Sequence, residues 1–168
     1  MSLTDIASRE EWAALEREFF ERFGLNARVY DEKGAGVTGQ ALWCNTLCPA
    51  VKGSPSGLAA ICSVANMALA AEAERGKATV IDACDAGLVK ICVPVFQDGR
   101  FAGVLGGCGR VPEGGEVDGF LVAKGAGLPE EQVEALARDV PGISQEQAEA
   151  AARFLEERLA VLRKRSRG

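Results

Sequence analysis

Length, composition and charge exclude several classes of protein before any motif is considered. The chain has 168 residues, 48% hydrophobic and 26% charged, which describes one globular domain over residues 1–168. Its net charge of −5 argues against a nucleic-acid-binding surface, which needs a basic face. We read no secretory signal at the start and no apolar stretch approaching the roughly 20 residues of a membrane span. We therefore expect a cytoplasmic protein without membrane or nucleic-acid contacts.

The N-terminal segment predicts a capped amphipathic helix over 8–23. Ser8 and Glu11 have the spacing of a capping box, and Gly24 is a natural helix end. One apolar stripe recurs at helical spacing and consists of Trp12, Leu15, Phe19 and Phe23. The next segments are predicted as a strand over 26–31, a turn over 32–34 and a short partner strand at Val37 and Thr38.

The middle of the chain is predicted as an irregular segment followed by a helix. Residues 42–55 are expected to be irregular, because Pro49 disfavours helical geometry at Cys48. A helix is predicted over 57–75. Its inward face is expected to carry Leu58, Ile61, Cys62, Ala65 and Leu69.

Three strands are predicted over 78–84, 88–96 and 100–108, and a tight turn at Asp98-Gly99 joins the last two. A two-residue turn fixes the register of that hairpin. The expected pairs are Phe96 with Phe101, Val93 with Val104 and Val89 with Cys108. Because side chains alternate between faces, Cys92 and Cys108 then lie on opposite faces and cannot both bind one centre.

The C-terminal part is predicted as a polar loop over 113–119 and two helices within 129–165. Pro129 begins the first helix, and Ser144 with Gln147 forms a capping box for the second. The basic residues near its end complement the helix dipole. The order of elements around a sensor core over 25–111 predicts an α+β fold, with a PAS-like antiparallel sheet of about five strands flanked by helices.

Six cysteines and no histidine are the most informative feature of the composition. In a reducing compartment such cysteines are not expected to form disulfides, so they are either buried small hydrophobes or thiolate ligands. Four of them lie on a loop, a helix and a strand end: Cys44, Cys48, Cys62 and Cys84. Together they are a candidate ligand set for a zinc ion or an iron–sulfur cluster.

Other residues are candidates for contacts with a small organic ligand. Trp43 and Asn45 flank Cys44 and either line a cavity or anchor the loop. Asp85 either contacts a ligand or serves the turn after Cys84. Glycines over 103–109 predict a bent strand that lines a cavity, or plain sheet curvature. On this hairpin, Val93 and Val104 are the candidate lining residues.

The stretch from 47 to 111 resembles the PocR-type sensory domain. The resemblance rests on motifs spread over the helix and the three strands: Leu47-Cys48, Cys62, Cys84-Asp85-Ala86-Gly87-Leu88, Val93-Pro94-Val95, Asp98-Gly99 and Gly103. It implies a PAS-like ligand-binding domain of bacterial or archaeal signalling, which regulates transcription or couples to kinases and senses small hydrocarbon derivatives such as diols. It also implies that Cys48, Cys62 and Cys84 are the family-type cysteines, with a metal or cofactor role.

The sequence departs from this family pattern at two positions. Asp85 stands where the family usually has histidine, and Arg110 stands where it usually has glutamine. A centre that uses histidine is thereby excluded, and an all-thiolate site is favoured.

Three functions remain to be weighed. The first is a small-molecule sensor whose terminal helices pass a change to a signalling partner or form a homodimer. The second is a redox or cluster-binding protein in which the cysteines are the sensed or electron-carrying element. The third is a cysteine-nucleophile enzyme with Lys52 or Lys90 as activator, which we do not expect, because no base and orienting group have suitable spacing.

Overall fold

A four-stranded antiparallel sheet is the centre of the computed structural model, which describes residues 2–168. The strands lie in the order β1-β4-β3-β2. Their bounds are Asn26–Asp31 for β1, Val80–Ala83 for β2, Val89–Gln97 for β3 and Arg100–Cys108 for β4. The predicted α+β class, with an antiparallel sheet flanked by helices, is confirmed. The sheet has four strands instead of five because the segment after β1 forms a single bridge, between Tyr30 and Gly36.

Six helices lie within the described residues. Their bounds are Arg9–Phe23 (α1), Leu47–Gly53 (α2), Pro55–Gly76 (α3), Gly119–Ala126 (α4), Glu130–Ala137 (α5) and Gln145–Ser166 (α6). A small parallel pair joins β5 (Val111–Pro112) to β6 (Gly142–Ile143). The capping boxes predicted at Ser8 and Ser144 are both present, and Gly24 ends α1 in the left-handed conformation that favours glycine.

The segment predicted to be irregular contains helix α2, so the prediction for Cys48 is wrong. Pro49 is the third residue of α2. In the first turn a backbone N–H has no intrahelical partner, so proline fits there without breaking the helix. Cys48 therefore sits in a helical turn. Helix α4, which contains Gly119–Ala126, was also missed, because glycines at both ends and in its last turn weaken its helical signal.

Helix α3 begins with a π-helical turn over Leu58–Ser63. The wider turn changes which residues face inward, so Leu58 is 42% exposed and its predicted inward position is wrong. Ala65, Leu69 and Ala73 are buried as the helix packs on the sheet. The helix has 22 residues and a window of mean hydropathy 1.4, so it is long and apolar enough to cross a membrane. The reading that no stretch approaches that length is therefore wrong.

The hairpin of β3 and β4 contains a bulge that changes its register. Phe96 pairs with Phe101 as predicted, but Val95 pairs with Gly103, which leaves Ala102 as an extra residue. Beyond the bulge Val93 faces Leu105, not Val104, and Cys108 faces Lys90, not Val89. Lys90, Cys92 and Cys108 consequently share one face of the sheet. The predicted separation of the two cysteines onto opposite faces is wrong.

The two faces of the sheet pack against different helices. On one face α1 and α6 cover the main core, where Val89, Ile91 and Val93 of β3 are buried. The other face carries Cys92 and Val104 against α3. Alternate residues of one strand thus contact different layers of the protein.

A buried carboxylate fixes the loop between β1 and α2. Glu16 of α1 is 2% exposed and accepts the N–H of Val29 at 2.8 Å. It also accepts the hydroxyl of Thr38 at 2.6 Å and the side-chain amide of Gln40 at 2.7 Å. These bonds hold the loop beside β1. They thereby help to place Trp43 and Cys44, which follow in the same loop.

We predict that Gly103→Ala destabilises the protein by at least about 2 kcal/mol. Gly103 has a φ of +149°, and an added Cβ would lie 2.1 Å from the carbonyl oxygen of Tyr30. Urea unfolding measures the change. Gly106→Ala is the matched control in the same strand, because its Cβ would meet no atom closer than 3.4 Å. Equal stability of the two variants would show that the bulge does not require glycine.

Candidate functional site

Five of the six cysteines gather at one end of the sheet. They are Cys44 in the loop before α2, Cys48 in α2, Cys62 on α3, Cys84 after β2 and Cys108 at the end of β4. The side chains of Cys48, Cys62 and Cys84 pack against the same small apolar core, which includes Leu47 and Leu88. We call these five residues the thiol group.

Two buried asparagines position the thiol group. Asn26 accepts the backbone N–H of Cys44 at 2.7 Å, and its amide lies 3.8 Å from the sulfur of Cys108. Asn45 accepts the N–H of Cys48 at 2.7 Å and donates to the sulfur of Cys48 at 3.3 Å. Its amide also donates to the carbonyl of Gly109 at 2.6 Å. Backbone and sulfur atoms are therefore held by the same side chains.

The electrostatics of the thiol group show that its members lie close together. Burial raises the pKa of Cys48, Cys62 and Cys84, and the charge of Cys108 raises each of them further. The charges of Lys52 and Lys90 lower the pKa of Cys62 and so oppose this effect. Without a cation these cysteines are neutral thiols at pH 7, because burial disfavours the thiolate. A bound metal cation would reverse that preference.

The donors of the thiol group have the chemistry of a metal centre held only by thiolates. Cys48, Cys62 and Cys84 share one apolar core and Asn45 contacts the sulfurs of Cys44 and Cys48, whereas their role as metal ligands stays a prediction. Within residues 2–168 no three metal-ligating side chains lie close enough to hold a single ion. The chemistry of the donors is that of zinc or iron–sulfur sites.

Cys92 lies apart from the thiol group, although it shares the face of Cys108. It pairs with Gly106, two residues along the strand from the pair of Lys90 and Cys108. Burial raises its pKa to about 11. The side chain packs with Leu69 and Ala73 of α3.

A cavity of about 390 Å³ lies between this face of the sheet and α3. Its polar inner residues are Tyr30, Asn66 and Lys90, and its apolar walls include Phe101 and Val104. A second, much smaller cavity of about 20 Å³ is lined by Trp43, Lys52, Cys108 and again Lys90. Lys90 thus lies between the large cavity and the thiol group.

Lys90 is a buried cation, only 8% exposed. Burial acts to lower the pKa of Lys90, but the charges of Cys108, Tyr30 and Cys92 outweigh it and the pKa is raised. The ammonium group is therefore charged at neutral pH.

The predicted ligand-contacting residues have different positions. Val104 lines the large cavity, and Trp43 lines the small one with the ammonium of Lys52 5.2 Å from its ring centre. Asn45 is buried within the thiol group. Val93 faces the main core, because the bulge in β4 pairs Val104 with Pro94 and so places Val93 and Val104 on opposite faces.

Asp85 does not reach either cavity. It is exposed in a turn that is closed by the N–H of Gly87 donating to the carbonyl of Cys84 at 2.9 Å.

Several site residues escaped the sequence reasoning. Lys90 carried a usable signal, because it is a single charge inside an apolar run from Leu88 to Val95. Asn26, Asn66 and Tyr30 carried none, since their roles depend on which elements the fold brings together.

Comparison with known proteins identifies one family. A family model described as the sensory domain found in PocR matches residues 5–166, nearly the whole chain. No curated protein and no solved structure matches the sequence.

We predict that Asn45→Ala lowers the free energy of unfolding by about 2 to 3 kcal/mol, because it removes the acceptor of the Cys48 N–H and leaves the carbonyl of Gly109 with only the weak thiol donor of Cys44. Urea unfolding provides the measurement. Thr46→Ala is the matched control, since this exposed neighbour makes no side-chain cap bond to α2 and should change stability by less than about 0.5 kcal/mol. Similar losses in both variants would contradict the assigned role of Asn45.

We also predict that stability falls as the pH rises from about 9 to 11, with Cys92 contributing about 2 to 3 kcal/mol of the loss. The pKa of Cys92 in the fold is above the unfolded value of 9.0. The unfolded state therefore loses its proton first, and alkaline pH favours unfolding. Chemical unfolding at several pH values should give a shallower fall for Cys92→Ala than for the parent protein. If the stability of the two proteins falls with pH in parallel, Cys92 is not a source of the pH dependence.

Proposed function

The chain belongs to the family of sensory domains found in PocR, and from that premise we propose that it is a small-molecule sensor with a thiolate-held metal centre. The family assigns the general role, which is ligand binding in a signalling protein. The proposal adds the thiol group as a metal site and the large cavity as the place where a small organic ligand binds. The convergence of five cysteines at one end of the sheet carries it.

The charges around the thiol group support this proposal. Four thiolates and a divalent ion carry a net negative charge, and a four-iron cluster held by four thiolates does as well. Lys52 and Lys90 both act on the pKa of Cys62, in the direction that favours the thiolate. Two cations beside a group of buried thiols are suited to an anionic centre, because burial of unpaired charge is costly.

The positions of the cysteines support a choice of ligands. Cys44, Cys48, Cys62 and Cys84 are proposed as the ligand set, and Cys108 is a fifth thiol within the same electrostatic neighbourhood. A bound metal would stabilise the thiolate form of the cysteines. An iron–sulfur cluster would in addition be sensitive to redox conditions. The chain's own residues hold the sulfurs in place through Asn26 and Asn45.

Strand β3 offers a direct route from the cavity to the terminal helices. Lys90 and Cys92 face the cavity. Val89 and Ile91, which alternate with them along β3, face the core under α6. A ligand that shifts this strand changes the packing of α6 without any intermediate element.

The terminal helices form one unit. Phe23 of α1 packs edge-on against Phe154 of α6 with ring centres 5.4 Å apart, and Arg158 forms an ion pair with Glu18. We propose that a signalling partner or a second copy of the chain reads this helix pair. Its role is transmission, not catalysis, and a reducing cytoplasm would keep the thiols available for metal.

We predict that Cys62→Ser loses most of the bound metal and lowers the melting temperature, because metal binding contributes to folding free energy. The protein is purified without oxygen, and iron, zinc and sulfide are measured per chain. Cys92→Ser is the matched control, since Cys92 lies outside the thiol group and should retain the metal.

Two results would contradict the metal centre. The first is a Cys62→Ser protein with unchanged metal content and unchanged melting. The second is a parent protein that contains neither iron nor zinc after anaerobic purification and that binds neither when it is reconstituted.

A further inference from the structure

The charge of Lys90 is not matched by a carboxylate. The side chain is 92% buried and lines the large cavity. The ion pairs found over residues 2–168 join Arg158 to Glu18 and Arg165 to Glu11, so neither involves Lys90. The ammonium makes no ion pair with a carboxylate of the described residues, so an anion in the cavity would give it a charged partner on that side.

A second polar group in the cavity lacks a partner. The side-chain oxygen of Asn66 is buried and accepts no hydrogen bond from any of the described residues. Its amide nitrogen donates to the hydroxyl of Tyr30 at 3.4 Å, which leaves the Tyr30 proton available. The cavity therefore offers one acceptor and one hydroxyl donor beside the ammonium. A ligand hydroxyl satisfies both, because it donates and accepts.

The rest of the cavity is apolar and small. Met67 and Ala70 of α3 and Phe101 and Val104 of β4 line it. Its volume of about 390 Å³ is near the lower end of the range for small-molecule sites, about 300 to 1,000 Å³. These walls fit a short alkyl chain.

The mouth of the cavity limits the charge that can enter. Glu32 and Glu74 are exposed there, and Asp31 is partly exposed. Asp31 already accepts the N–H groups of Lys33 and Ala35 at 2.9 Å. These three carboxylates outnumber the ammonium of Lys33 at the entrance, so ligands with several negative charges are disfavoured, whereas a single charge is matched by Lys90.

We infer that the cavity binds a short aliphatic hydroxy acid with one carboxylate. Lys90 contacts the carboxylate, Asn66 and Tyr30 contact the hydroxyl, and Phe101 and Val104 contact the alkyl chain. The inference rests on the proposed sensory function and specifies its ligand class. It differs from the expectation of a neutral diol, because a diol would give Lys90 no anionic partner in the cavity.

Calorimetric titration of the purified, metal-containing protein tests the ligand class with three matched probes. They are 3-hydroxybutyrate, 1,3-butanediol, which replaces the carboxylate by a neutral group, and butyrate, which lacks the hydroxyl. We expect 3-hydroxybutyrate to bind at least about tenfold more tightly than either of the others, because each loses one charged or polar contact. This comparison needs no variant.

Lys90→Met tests the charge partner, because methionine keeps an unbranched apolar stem of similar length. We expect the affinity for 3-hydroxybutyrate to fall at least about thirtyfold and that for 1,3-butanediol to stay within about twofold. Lys33→Met is the matched control, since it removes the same charge from the exposed mouth, where water and salt screen it. Iron and zinc are measured in both variants.

Three results overturn the inference. The first is 1,3-butanediol binding as tightly as 3-hydroxybutyrate. The second is the absence of heat from any of the three probes. The third is a Lys90→Met protein that loses metal while it keeps its affinity for 3-hydroxybutyrate, which would make Lys90 a partner of the thiol group. The metal analysis of Cys62→Ser is independent of these titrations. Either the proposed metal centre or the proposed ligand class can therefore be contradicted without the other.

Discussion

A single extra residue in β4 determines which side chains of β3 and β4 lie on the same face of the sheet. The bulge at Ala102 shifts the hairpin by one position, so Lys90, Cys92 and Cys108 lie on the face that looks toward α3. Without it, Cys108 would pair with Val89 and lie on the face opposite to Lys90 and Cys92. Gly103 permits the bulge because its backbone approaches β1 too closely for a side chain. The cavity and the thiol group both depend on this backbone feature.

The thiol group and the cavity are neighbouring parts of one site. Lys90 lines the cavity and also acts on the pKa of Cys62 and Cys84. An anion that contacts Lys90 would therefore change the electrostatics of the thiols, and the charge state of a metal centre would change the affinity for the anion. Such coupling is reciprocal by thermodynamic necessity. If the thiol group holds the proposed metal, the sensor would respond to both a small molecule and the state of that metal.

Much of the fold could be predicted because its signals are local. The capping boxes at Ser8 and Ser144 gave correct helix starts, and Asp98-Gly99 gave the hairpin. The bulge could not be predicted, since a glycine at position 103 is equally typical of plain sheet curvature. The partners of Asn26 and Asn66 were not predictable either, because they lie on elements distant in sequence.

X-ray absorption at the metal edge of anaerobically purified protein tests the central claim, which is that the thiol group holds one metal centre without histidine. We predict a first coordination shell made of sulfur alone, with neighbouring iron atoms at short distance if the centre is a cluster. A first shell containing nitrogen or oxygen from the protein, or a protein that takes up no metal, would contradict the account. In that case the five cysteines are packed thiols, and sensing would depend on the cavity alone.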